Sequence, residues 1–119
     1  MITINNLTKR KIDEKLFTKL AKKVLKEENR GKDDLSIVFV GKKRISDLNK
    51  KYRKKNKPTD VLSFGDGLNE IVICPAMVKG ELAEILIHGI LHIVGYDHEG
   101  TEKEALKMEK LQRYYLNFI

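Results

Sequence analysis

Between Lys79 and Val94 the chain is apolar on nearly every side of a helix. Leu82, Ile85, Leu86, Ile87, Ile90, Leu91, Ile93 and Val94 leave little of its circumference polar. A helix of that kind belongs in the middle of a domain, with the remaining elements packed around it. Yet it carries two imidazoles, His88 and His92, four residues apart and therefore stacked on one face. Burying them without partners would cost about 1–3 kcal/mol each, so the spacing predicts a shared partner at the bottom of a cleft. The third of the chain's three histidines, His98, lies just beyond Gly95. A glycine three residues past His92 can adopt the left-handed turn that ends a helix and reverses the chain. That turn would bring His98 toward the first pair.

Three neutral imidazoles meeting at a point, with no fourth side chain demanded, describe an open divalent-metal site. The expectation is one Zn2+ held by His88, His92 and His98, with water in the fourth position. The histidines and the glycine match the metzincin spacing H-E-x-x-H-x-x-G-x-x-H, but Gly89 stands where the protease has its general base. A single histidine here would read as an ordinary core residue. Three in register with the glycine are specific for metal, and silent about the reaction. Gly89 costs about 1 kcal/mol against alanine inside a helix. It implies a close approach to the backbone, by a packed strand in preference to substrate.

The 119 residues suffice for one domain, 1–119, with a single core. Hydrophobic and charged contents of 41% and 34% describe a soluble globular chain. The N-terminus lacks the apolar core of a signal peptide, and no segment reads as membrane-spanning. Cys74, the single cysteine, cannot form an internal disulfide, which together with these features points to the cytoplasm. The positive charge is concentrated. From Lys42 to Lys57 nine cations meet one acid, Asp47, for a net +8 against +7 for the whole chain. Local basicity of this kind favours a polyanion-facing patch over general solubility charge. Lys50, Lys54, Lys55 and Lys57 suit salt-sensitive, sequence-independent steering of a nucleic-acid backbone. Taken alone, Arg53 is equally a surface cation in a basic run or a guanidinium placed to fork onto phosphate.

Residues 2–5 alternate as a short strand. An amphipathic helix follows over Lys11–Glu28, with Ile12, Leu16, Leu20 and Val24 at steps of four. Leu35–Val40 is an apolar, β-branched strand interior to a sheet. A second helix runs from about Lys43 to Tyr52, with Ile45, Leu48 and Tyr52 toward the core. Pro58 forces the chain out of helical geometry at Lys57. Thr59–Phe64 and Glu70–Cys74 are two more strands across the turn Gly65-Asp-Gly67, and Pro75 stops the second. After the histidine helix, Thr101-Glu-Lys-Glu104 is a capping box opening a last helix along Ala105, Met108, Leu111 and Tyr115. The order β-α-β-α-β-β-α-α predicts a single α+β domain in which a mixed sheet of about four strands packs with about four helices.

The motif His88-Gly-Ile-Leu-His92-Ile-Val-Gly-Tyr-Asp-His98 resembles the signature of the YbeY family of zinc-dependent bacterial endoribonucleases. Leu48-Asn-Lys-Lys-Tyr-Arg53, Pro58-Thr-Asp-Val-Leu-Ser-Phe64, Ile71-Val-Ile-Cys74 and Glu104-Ala-Leu-Lys-Met108 are similar to further family segments. The resemblance implies an α+β fold with a zincin-like metal site. It also implies single-strand-specific RNA cleavage in ribosomal RNA (small-subunit 3′ end) maturation and ribosome quality control, with ribosome-associated proteins as partners. It carries the ligand role to His88, His92 and His98, and the essential arginine to Arg53. Two departures stand out: Gly65 where the family usually has proline, and Asn69-Glu70 where it usually has Gly-Asp. Both are expected to alter one wall of the cleft.

An ion held by three imidazoles can lower the pKa of its water toward about 7, so the loss of a carboxylate at Gly89 does not preclude phosphodiester hydrolysis. Arg53 would then stabilise charge developing on the phosphate. Asp97 orients a ligand imidazole or caps the turn, with the turn favoured, and Glu84 is a distant base or an ordinary surface carboxylate. Two competing functions remain: a zincin-like metallopeptidase, opposed by the missing Glu, and a non-catalytic ribosome-associated RNA-binding module with structural zinc, opposed by the open, cysteine-free ligand set.

Overall fold

A computed structural model describes residues 1–65, 67–97 and 100–119. Its elements follow the expected order: β1 (Ile2–Asn6), α1 (Glu14–Glu27), β2 (Leu35–Phe39), α2 (Lys42–Arg53), β3 (Val61–Phe64), β4 (Glu70–Ile73), α3 (Leu82–Ile93) and α4 (Glu102–Leu116). A single 3₁₀ turn at Pro75–Met77, not anticipated from the sequence, carries the chain from β4 toward α3. The four strands form one sheet in the order β1-β2-β4-β3. β2 pairs in parallel with both β1 and β4, and β3 pairs antiparallel with β4, so the sheet is mixed as expected.

Both faces of the sheet are covered, which is why β2 and β4 read as near-continuous apolar runs. Leu35, Ile37, Phe39, Ile71 and Ile73 join the main core with α1, α3 and α4. Val40, Val72, Cys74 and Leu62 point the other way and meet Ile45 of α2. α3 lies at the centre: it packs against α1, α4, β3 and β4, and Leu86, Ile87, Ile90 and Leu91 are wholly buried. The apolar surface of that helix is thus covered by neighbours, except where Ile85 lies beside the histidines on their open face.

Local chemistry moves several ends. α1 begins three residues later than Lys11 because Asp13 caps it, its Oδ1 accepting from the Leu16 N–H at 3.1 Å. α4 opens on the expected capping box of Thr101 and Glu104. The largest correction concerns Tyr52. Expected in the core, it is 56% exposed, and Asn49 takes the buried position instead. Tyr52 lies at the rim of the second core and meets Phe64 of β3 edge-on at 5.2 Å. Asn49 is admitted because its Nδ2 donates to the Lys57 carbonyl at 2.9 Å, tying down the loop after α2.

Candidate active site and metal centre

The face of α3 that carries His88 and His92 opens onto a cleft of about 920 Å³. Its walls come from four directions: Tyr52 and Arg53 end α2, Thr59 to Phe64 lead into and form β3, Glu84 and Ile85 precede the histidines on α3, and Gln112 reaches in from α4. Asp97 lines it as well. A cleft of this size with a few convergent polar groups is the usual form of a ligand or substrate site.

The two imidazoles are half-buried, with ring centroids 4.6 Å apart and Nε2 atoms 3.0 Å apart. Two nitrogens bound to one ion at about 2.0–2.1 Å in a tetrahedron stand about 3.3 Å apart, so the pair fits a shared ion with little adjustment. Gln112, unremarked in the sequence, sets the chemistry of the first ring: its Oε1 lies 2.7 Å from His88 Nδ1. With that oxygen as acceptor, Nδ1 carries the proton and Nε2 keeps its lone pair, directed at His92. This is the tautomer a metal ligand needs.

The helix that holds the pair ends as its glycine suggests. Gly95 has φ +112°, the Gly95 N–H donates to the His92 carbonyl at 3.1 Å, and the Tyr96 N–H donates to the Leu91 carbonyl at 3.0 Å. Those two bonds form a Schellman cap, which turns the chain immediately before Asp97. His98, the third expected ligand, lies outside the described residues. Among the described residues no group of three or more His, Cys, Asp or Glu side chains is gathered around a metal position.

Gly89 faces β3 and β4. A Cβ there would stand 3.1 Å from Ser63 Oγ, 3.1 Å from Ile71 Cγ2 and 3.2 Å from Ile71 Cδ1. The close approach is therefore to strands, and it presses the histidine helix against the sheet below the cleft. Arg53 is exposed at the C-terminus of α2 and lines this cleft together with His88 and His92. Lys55 and Lys57 line an adjoining concavity of about 420 Å³ that also includes Arg53. Lys50 and Lys54 are exposed and line neither, Lys54 being the left-handed cap of α2 with φ +57°. Glu84 does line the cleft, one turn before His88. Gly65, Asn69 and Glu70 do not line it; Gly65 and Asn69 flank a separate hollow near Met1 and Asp34.

A family model described as endoribonuclease YbeY matches residues 3–119. An endoribonuclease YbeY of Petrotoga mobilis is 42% identical, over 96% of this chain and 91% of that protein. One from Thermotoga maritima is 36% identical over 92% of this chain and 81% of the other. The solution structure of TM1509 from Thermotoga maritima superposes with a TM-score of 0.68 at 32% identity, covering 97% of this chain and 86% of that one. No helix among the described residues is long and apolar enough to cross a membrane.

Proposed function

Because the chain belongs to the endoribonuclease YbeY family, and so is an enzyme that hydrolyses phosphodiester bonds in RNA, we propose that it cuts single-stranded ribosomal RNA at the α3 cleft with a zinc ion. His88, His92 and His98 are the residues that would hold the ion. The observation that carries this reading is the His88–His92 pair, Nε2 to Nε2 at 3.0 Å, with the far nitrogen of His88 against Gln112. The donor set is nitrogen only, which suits zinc and leaves a coordination position open.

When bound, zinc supplies Lewis-acid polarisation of a phosphate oxygen and an acidified water. The remaining work falls to side chains. Arg53, which lines the same cleft as the histidines, forks onto the phosphate and holds the charge that builds there. Gln112 keeps the proton of His88 on Nδ1. Lys50, Lys54, Lys55 and Lys57 attract the RNA backbone without reading sequence. A metallopeptidase is disfavoured because Gly89, packed on Ser63 and Ile71, leaves no room for the carboxylate that such an enzyme places there.

The cellular role that follows is maturation of the small-subunit 3′ end and ribosome quality control, in the cytoplasm, with ribosome-associated proteins as partners. Metal analysis of the purified protein beside an RNA-cleavage assay tests the core of the proposal. One equivalent of zinc and cleavage abolished by a chelator are expected, with both lost in His92→Ala. Full metal occupancy in His92→Ala would refute the ligand set.

A further inference from the structure

The hollow beside the cleft differs from a chance surface dip in three respects. First, it gathers cations from two separate parts of the chain. Arg53, Lys55 and Lys57 come from the end of α2 and its following loop, and Lys79 comes from the connection before α3, far away in sequence. They face one carboxylate, Asp60. None of the four cations is in an ion pair among the described residues. Second, its walls are not only charged: Pro58 and Met77 add apolar surface against which a sugar or base can lie. Third, Asn49 lines it and its Nδ2 donates to the Lys57 carbonyl, which fixes the backbone that carries Lys57.

The hollow also adjoins the cleft, with Arg53, Thr59 and Asp60 lining both. A ligand filling the two would straddle Arg53. Its volume of about 420 Å³ is in the range of small-ligand sites. Anionic, part apolar, rich in hydrogen-bond donors and linked to whatever occupies the cleft: those properties together describe a nucleotide in a strand, not a free ion.

We propose that this hollow is a subsite for the nucleotide next to the one being cut, with its phosphate on Lys57 and Lys79 and its ring against Pro58 and Met77. The assignment rests on the endoribonuclease reading and adds a direction to it: the RNA leaves the histidines over Arg53 and runs toward the start of α3. Lys79 becomes an RNA contact although it stands outside the basic segment. The cations of that segment divide, with Lys55 and Lys57 in the subsite and Lys50 and Lys54 contributing only long-range attraction.

The test is binding of a labelled single-stranded uridine oligomer to the full chain, followed by fluorescence anisotropy across a salt series, with cleavage of the same RNA measured in parallel. Each phosphate neutralised on a single strand contributes about 0.7 to the salt slope. Lys57→Gln/Lys79→Gln, which strips both cations from the one subsite phosphate, should therefore lower the slope by about 0.7, whereas Lys19→Gln/Lys22→Gln on the exposed side of α1 should leave it where it is. All of these positions are exposed, so the thermal midpoint should hold. Wild-type protein that binds and cleaves the RNA, with Lys57→Gln/Lys79→Gln matching its slope, would overturn the subsite and leave the nuclease reading intact. Wild-type protein that neither binds nor cleaves would overturn both.

Discussion

Gln112 on α4 holds His88 on α3, Oε1 to Nδ1 at 2.7 Å across 24 residues of sequence. A carboxamide cannot take up the ring's proton, so this contact selects one tautomer without charging the site. Removing such an outer partner from a metal-bound histidine usually costs 10–100-fold in affinity. Gln112→Leu should therefore fold normally yet bind zinc about 10–100-fold more weakly, as read by competition with a chromophoric chelator. Gln112→Glu, which restores an acceptor, should recover most of that loss. Equal affinity in Gln112→Leu and wild type would show that His88 orients itself.

Arg53 lines both the cleft and the cationic hollow, as Thr59 and Asp60 do. A lysine there keeps the charge and loses the planar fork. If Arg53 acts on the reacting phosphate, Arg53→Lys should lower kcat by about 10²-fold or more, the scale seen when one transition-state donor is removed. Zinc content and thermal midpoint should not change. If it acts only as a surface cation, the same variant should cleave at the wild-type rate.

What could be read in the sequence was local, and what could not was brought together by folding. His88 and His92 lie four apart on one helix, and Gly95 closes that helix within a few residues, so spacing alone conveys their geometry. The two-sided burial of β2 and β4 was legible in their unbroken apolar runs. Gln112 was not, because it is one polar residue on a helix whose apolar stripe explains its neighbours, and only the packing of α4 on α3 brings it to His88. Tyr52 is exposed and Asn49, to which the sequence assigns no place, is buried for a related reason. Periodicity places both near the inner face of α2, and the loop that returns over Asn49 at Lys57 buries it while Tyr52 stays exposed. Lys79 reads as the first turn of a helix that in fact begins at Leu82.

Gly89 sets helical propensity against packing. Gly89→Ala gains about 1 kcal/mol of propensity but places a methyl 3.1–3.2 Å from Ile71 and Ser63. Ile71 is wholly buried in β4 and has nowhere to move, so the overpacking cost of about 1–3 kcal/mol should prevail. Chemical denaturation should show Gly89→Ala to be less stable by about 1 kcal/mol. Ile71→Val removes Cδ1, one of the clashing atoms. Combined with Gly89→Ala it should cost less than the two single changes added together. Strict additivity would mean that α3 shifts away from the sheet instead.

Glu28, just past α1, accepts hydrogen bonds from Tyr96, at 2.9 Å, and from Tyr115. It thereby ties the end of α1 to the turn after α3 and to α4. Burial, reinforced by the hydrogen bond to Glu28 and its negative charge, raises both phenols above their ordinary value of 10.0. A phenol whose pKa is higher folded than unfolded stabilises the fold fully below pH 10, and that contribution is lost as pH rises through the folded value. Thermal stability should therefore fall steeply above about pH 10. Tyr115→Phe, which cannot ionise at that position, should make the decline shallower even though it is less stable at pH 7. Glu28→Gln keeps an acceptor and removes the charge, so it should lose about 1–3 kcal/mol at pH 7 and also lessen the alkaline decline. An unchanged profile in both variants would place the alkaline transition elsewhere in the chain.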